Sequence, residues 1–235
     1  MKLAQSCWCI VPAAGVGRRI GAAVPKQYLS LGDRAIIEHT IMALLDCGCF
    51  EKIIVVLSPD DTLWTSLDIA SHPMIETTEG GETRADSVLC GLSFLERHVQ
   101  QNDWVCVHDA ARPCVTSDMV KPLLAAVEGH SVGGVLGIPV VDTVKYVSFK
   151  GEVEKTLPRE NIWLAQTPQV FRYAMLRKAL QHAMDEGYII TDESSAIELL
   201  GEVPKMVLGD PANLKVTSWA DFYRVKAIIE GAACE

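Results

Sequence analysis

Residues 7–26 read CWCIVPAAGVGRRIGAAVPK, and the change of character inside this stretch decides the fold. An apolar run, Cys7–Val11, ends at Pro12. It gives way to small residues, two glycines one residue apart, two arginines, and a lysine behind a proline. The run has the composition of a buried strand. Gly15 and Gly17 allow a tight turn and close approach of a ligand. Successive N–H groups in such a turn form a concavity for an anion. Arg18, Arg19 and Lys26 add positive charge to it. A strand, a small-residue turn and cations together suit a nucleoside triphosphate. Two familiar phosphate loops are excluded. The string GxxxxGK[ST] does not occur. The dinucleotide pattern GxGxxG fails because Ile20 stands where the third glycine belongs, with Gly21 one residue late. The next strand, Ile53–Leu57, also runs into Ser58-Pro59 rather than an acidic residue. An ordinary glycine-rich strand-to-helix turn accounts for the glycines but not for the cations.

Outward from this stretch, strands and helices alternate. Ala35–Cys47 has apolar residues at helical spacing and stops at Gly48. Lys52–Leu57 is a strand, Asp61–Ala70 a helix and Met74–Thr78 a short strand. Gly80-Gly81 opens a helix over Thr83–Val99. Trp104–His108 is a strand, Ser117–Glu128 a helix capped by Ser117, and Val132–Ile138 a strand. This order implies an α/β protein with a doubly wound, mostly parallel sheet. Ligands then bind beyond the carboxyl ends of the strands. The loops at Gly15, Gly80-Gly81 and Asp109 all follow strands and are expected to converge.

The alternation breaks after Pro139. Val141–Phe149 and Glu152–Leu157 flank Lys150-Gly151, a hairpin turn. A lone two-stranded hairpin is marginal in water, so it needs a partner, and a second subunit is an economical one. Gln169–Phe171 is then extended, Tyr173–Glu186 and Asp192–Leu200 are helices, and Lys205–Leu208 and Asn213–Val216 are strands. Thr217–Glu230 is the closing helix. Residues 1–235 thus form one domain, with residues 140–162 an inserted β-hairpin arm for dimerisation.

Composition narrows the classes of function. A chain of 235 residues, 49% hydrophobic, has material for one sizeable core. A net charge of −9 argues against nucleic acid or an anionic membrane as partner. The few scattered Trp and Tyr residues do not make a base-stacking surface, and no stretch reaches transmembrane length. Met1-Lys2 ahead of a short apolar run has the outline of a signal sequence, but the run reads as the first core strand. Cytoplasmic localisation is expected, with the eight cysteines as reduced thiols. Cys7-x-Cys9 and Cys47-x-Cys49 resemble halves of a zinc site, yet no CxxC knuckle or His pair accompanies them. No HExxH or GxSxG motif occurs.

Several residues are candidates for chemistry. Asp109 stands at a strand end beside Arg112. One carboxylate facing phosphates suits Mg²⁺, which takes one or two carboxylates plus phosphate oxygens. Equally, Asp109 pairs with Arg112 or caps a turn. The free N–H groups at Gly80–Thr83 suit an anion or a base edge, or plain capping chemistry. Ser87 faces solvent or joins a pocket. Arg159, Thr167, Thr191 and Lys215 carry no local signal of their own. His108 is read as facing away from the site or capping the strand end.

Seven motifs occur in order between about Ile10 and Val216: PAAGxGRR, PKQY, GGxxRxDSV, HDAARP, TPQ, ITDE and NxKVT. In this the chain resembles the 2-C-methyl-D-erythritol 4-phosphate cytidylyltransferase family. The resemblance implies a Rossmann-like nucleotidyltransferase fold and the reaction of CTP with methylerythritol phosphate to a CDP-linked alcohol and pyrophosphate. It implies Mg²⁺, with Asp109 in the CTP–metal region. It assigns Arg19, Lys26 and Lys215 to the transition state, and Arg159, Thr143 and Arg112 to the methylerythritol phosphate. Ala13, Ala14, Gly15, Gly81, Glu82, Ser87 and Ala110 fall around the cytidine and phosphates, and Thr167 and Thr191 are counted with the substrate contacts. It also implies a homodimer in which the arm serves the neighbouring subunit's site. Relatives often carry Asp where this chain has Glu82, which bears on one nucleotide contact. The alternative is a ribitol 5-phosphate cytidylyltransferase, whose opening loop tends to read LAGG where this chain has PAAG. A nucleotide-binding protein without turnover is a third reading, opposed by intact Arg19, Lys26, Asp109 and Lys215.

Overall fold

The structure, a computed structural model, describes residues 5–15 and 24–232. In chain order the elements begin with strand β1 (Cys7–Pro12), the short strands β2 (Ser30–Leu31) and β3 (Arg34–Ala35), helix α1 (Ile36–Asp46), and strands β4 (Ile53–Leu57) and β5 (Ile75–Glu79). Helix α2 (Arg84–Leu95), β6 (Trp104–Val107), α3 (Ser117–Val127) and β7 (Gly133–Pro139) follow. Next come β8 (Val144–Val147), β9 (Val153–Leu157), β10 (Trp163–Arg172), α4 (Tyr173–Asp185), α5 (Glu193–Leu199), β11 (Lys205–Leu208) and α6 (Trp219–Ala232).

Seven strands form the central sheet in the order β11-β7-β10-β6-β1-β4-β5. The described pairings are parallel except where β10 runs antiparallel to β6 and β7. Strand pleating splits the core into two faces. Cys9, Val11, Ile53, Val55 and Cys106 point to one face, covered by α1 and α3. Ile10, Ile54, Val56, Val105 and Val107 point to the other, covered by α2, α4 and α5. Both faces are apolar, which is why these strands read as continuous hydrophobic runs rather than alternating ones. Helix α2 sits hard against the sheet: a Cβ on Gly91 would come within 2.9 Å of Ile10 Cγ2. Deleting a fully buried side chain at this contact, such as Leu92, costs about 2–5 kcal/mol. The packing fixes where the first turn of α2 stands relative to the ends of β1 and β4.

Cys7, Cys9 and Cys106 are buried and free, with Cys9 and Cys106 paired across neighbouring strands. They serve as small apolar core residues. Among the described residues no three His, Cys, Asp or Glu side chains gather to hold a metal. No described helix is long and apolar enough to cross a membrane.

The structure departs from the sequence reading in four places. Residues 61–70 form two 3-10 turns, Trp64–Ser66 and Asp68–Ser71, instead of a helix. Asp61 Oδ1 accepts the N–H groups of Leu63 and Trp64, a local alternative that competes with helix propagation. Residues 213–216 are a loop, held by Val216 N–H donating to Ala111 O and by Asn213 Nδ2 donating to Thr167 O. The N-cap of α3 is Thr116, and Ser117 Oγ donates to Asp46 O. Finally, Gln169–Phe171 belongs to the ten-residue strand β10, whose register shifts between Ala165 and Gln169. The predicted hairpin is present: β8 and β9 pair antiparallel as a separate two-stranded sheet.

Candidate nucleotide-binding site

A cavity of about 240 Å³ opens beyond the carboxyl ends of β1 and β6. Its walls are Pro12–Gly15 from the loop after β1, Lys26 and Gln27, Gly81–Arg84 and Ser87 from the start of α2, Asp109–Ala111 after β6, and Lys215. The three loops expected to converge therefore do so. A larger hollow of about 570 Å³ lies among Gln5, Gln101, Arg172 and Lys178, away from every residue singled out in the sequence.

Close backbone approach builds the cavity. A Cβ on Gly80 would lie 2.7 Å from Ala14 Cβ and 2.8 Å from Ser87 Oγ, so only glycine lets the two loops meet. Gln27, buried, donates from Nε2 to Ala13 O at 2.7 Å and Gly15 O at 3.1 Å, pinning the first loop. Thr83 caps α2: its hydroxyl accepts Asp86 N–H while Asp86 Oδ2 accepts Thr83 N–H. Ser87 is buried and donates to Thr83 O at 2.9 Å, so it belongs to the pocket and not to solvent.

Asp109 is the electrostatic centre. Its Oδ1 pairs with Arg84 Nε at 2.9 Å, and its Oδ2 with Lys215 Nζ at 2.8 Å and Arg112 Nε at 3.4 Å. Burial alone would raise its pKa, but Arg84, Lys215 and Arg112 outweigh burial and hold the carboxyl far below the usual range. Thr167 Oγ1 accepts Asp109 N–H at 3.0 Å, fixing the backbone behind the carboxylate. His108 is fully buried, with Nε2 bonded to Arg112 O and Nδ1 to Thr167 Oγ1. Burial lowers its pKa to about 4. With both ring nitrogens occupied, it is a neutral structural side chain, not a base.

Of the residues read from sequence, Ala13, Ala14, Gly15, Lys26, Gly81, Glu82, Ser87, Asp109, Ala110 and Lys215 line the cavity. Lys26 Nζ also donates to Val216 O at 3.0 Å, tying the PKQY segment to the NxKVT segment. Arg112 and Thr167 stand one layer behind, through Asp109. Thr143 and Arg159 are on the arm and outside the cavity, where Arg159 Nη1 donates to Val141 O. Thr191 N–H donates to Ser195 Oγ at the entry to α5 and does not reach the cavity. Gly17, Arg18 and Arg19 lie outside the described residues.

Gln27, Arg84 and Glu193 went unassigned in the sequence. The signal was present, since each is a fixed letter of PKQY, GGxxRxDSV or ITDE. Their roles need pairings across 12 to 109 positions, which spacing alone does not reveal.

The family model of IspD, 2-C-methyl-D-erythritol 4-phosphate cytidylyltransferase, matches residues 7–231. The chain belongs to this family. It is 44% identical to the 2-C-methyl-D-erythritol 4-phosphate cytidylyltransferase of Vibrio vulnificus over 219 residues, 91% of this chain and 92% of that one. It is 47% identical to the enzyme of that name from Dechloromonas aromatica over 216 residues, 91% and 93% of the two chains. The crystal structure of the Francisella tularensis IspD has a TM-score of 0.82 and 37% identity, covering 94% of this chain and 98% of that one. The mostly parallel sheet flanked by helices is thus the IspD nucleotidyltransferase fold.

Proposed function

We propose that this IspD family member transfers CMP from CTP to 2-C-methyl-D-erythritol 4-phosphate, releasing pyrophosphate. The observation that carries the reading is the convergence of Lys26, Arg84 and Lys215 on one cavity at the strand ends, around a single carboxylate that Arg112 pairs with from behind. A triphosphate and a phosphate monoester meeting there need this excess of positive charge. The monoester has a second pKa near 6, so at neutral pH it is largely a dianion and a competent nucleophile. One of its oxygens attacks the α-phosphorus, the bond to the bridging oxygen breaks, and pyrophosphate leaves with that electron pair. No protein base or nucleophile is required, in keeping with the neutral, fully bonded His108.

Lys26, Lys215 and Arg19 meet the charge that grows at the α-phosphorus. The Ala13–Gly15 loop and the Gly81–Ser87 start of α2 hold the nucleotide. Asp109 would hold Mg²⁺. The donor chemistry suits this metal, being one ionised carboxylate that borders the cavity, but both oxygens pair with Arg84, Lys215 and Arg112, so the metal would replace one of these partners. When bound, Mg²⁺ offsets phosphate charge. Thr143 and Arg159 select the polyol phosphate from the neighbouring subunit of a homodimer joined through the 140–162 arm. Exposed Val141, Tyr146, Phe149 and Val153 on the arm support such an interface. Free buried thiols favour a reducing, cytoplasmic setting.

The test is pyrophosphate release from CTP with Mg²⁺ and methylerythritol phosphate, set against ribitol 5-phosphate. Turnover with the first and not the second is expected. No turnover with methylerythritol phosphate overturns the reading.

A further inference from the structure

Glu193 lies outside the cavity, yet it is 1% exposed and makes a two-point contact with a cavity residue. Its Oε1 accepts from Arg84 Nη1 at 2.7 Å and its Oε2 from Arg84 Nη2 at 3.1 Å. The remaining edge of the same guanidinium, Nε, donates to Asp109 Oδ1 at 2.9 Å. A planar guanidinium gripped at two edges by two carboxylates has no rotational freedom left. Asp109 in turn places its other oxygen 2.8 Å from Lys215 Nζ. A continuous chain of ion pairs therefore runs from Glu193 through Arg84 and Asp109 to Lys215.

Glu193 is itself held from two sides. It opens α5, whose cap Asp192 accepts Ser195 N–H on one carboxylate oxygen and Gln169 Nε2 on the other. Gln169 Oε1 accepts Ser194 N–H, and Gln169 is buried on β10 opposite Val107 of β6, two residues before Asp109. The sheet thus sets the position of Glu193, and Glu193 sets Arg84. Asp109 alone, shared among Arg84, Arg112 and Lys215, leaves two positive charges uncompensated, and Glu193 offsets one of them at Arg84. Two carboxylates against Arg84, Arg112 and Lys215 leave one net positive charge, so Glu193 decides where that charge is placed.

We infer that Glu193 is a positioning residue for the transfer step, acting through Arg84 and Asp109 to hold the Lys215 ammonium at the cavity. The inference rests on the assignment of Lys215 to the α-phosphorus. In Glu193→Gln the Arg84 guanidinium is free to close on both oxygens of Asp109, drawing that carboxylate away from Lys215. The ammonium then loses its fixed place without losing its charge.

The experiment measures kcat and KM for CTP in the parent, Glu193→Gln, Lys215→Ala and the double variant, with melting curves for each. Glu193→Gln is expected to lower kcat about 10- to 100-fold and to change KM for CTP by less than about threefold. The double variant should lose no more kcat than Lys215→Ala alone, since both act on one group. Glu193→Gln with unchanged kcat, or with losses that multiply in the double variant, overturns the inference. A lowered melting temperature with normal kcat assigns Glu193 a structural role only and overturns it too. If Glu193→Gln does not fold, Glu193→Asp, which keeps the charge and is one methylene short, is read by the same criteria. A parent that turns over no CTP instead refutes the functional proposal.

Discussion

Replacing Asp109 by Asn tests the electrostatic centre directly. The side chain is 8% exposed and answers three cations, so its removal leaves buried positive charge uncompensated. Breaking a buried ion pair by removing one partner costs about 3–5 kcal/mol. Asn keeps the shape and can still accept from Arg84, which places the expected loss near the lower end, about 3 kcal/mol. Unfolding entropy near 2.1 cal/mol/K per residue amounts to about 0.5 kcal/mol/K for this chain, so Tm should fall by about 6 °C. The pH dependence follows from the direction of the shift. The folded-state pKa lies far below the ordinary 3.8, so the stabilisation is complete well above 3.8 and is lost as pH falls below it. The stability gap between parent and variant should therefore narrow by about 1.4 kcal/mol for each pH unit below that value. Urea denaturation followed by circular dichroism at pH 7 and pH 3, with a melting curve at pH 7, measures both quantities. An Asp109→Asn variant melting within a degree of the parent at pH 7, or a gap unchanged at pH 3, would refute the account.

Three further outcomes are expected. Lys215→Ala should lower kcat by about 10²–10³ with a smaller effect on CTP affinity; mixing it with Arg159→Ala chains should restore partial activity if the arm serves the neighbouring subunit, and purified heterodimers without activity would place Arg159 in its own chain's site. Gly80→Ala should raise KM for CTP on the order of tenfold, because the added methyl forces Ala14 and Ser87 apart; unchanged KM would mean the two loops yield freely. His108, held neutral with its pKa lowered to about 4, stabilises the fold fully above about 6.5 and loses that contribution as pH falls from there toward 4, up to about 3 kcal/mol, so a His108→Gln variant should show a flatter stability profile over that window in denaturant titrations.

The layout of the site was legible because it depends on short-range signals. The apolar run of β1, the glycines beyond it and the capped start of α2 each announce themselves within about ten residues. Their meeting follows from the rule that α/β ligands sit at strand carboxyl ends. The antiparallel course of β10 was not legible, because strand direction is set by distant pairing with Val107 and Val135 and leaves no mark in composition. The stretch at 61–70 misled because Asp61 satisfies the next N–H groups itself, which helical periodicity does not register. Asp109 was expected at a strand end and follows β6, but the sequence left open whether it serves Mg²⁺, pairs with Arg112 or caps a turn. Arg84 and Lys215 approach it from 25 positions upstream and from far downstream, and only the folded chain brings them together.

The arm leaves and re-enters the sheet at a single step. Pro139 at the end of β7 is opposite Trp163 at the start of β10, and Val140 N–H donates to Ile162 O. Everything between is an excursion whose closure is already made by the two strands that carry it. Changing its length alters chain entropy only logarithmically and shifts no register in the core. On the proposed reading, in which the arm selects the acceptor, it is in this sense an exchangeable cassette on a fixed platform. Arms of different length or sequence can be grafted between Val140 and Ile162 without disturbing the cations gathered around Asp109.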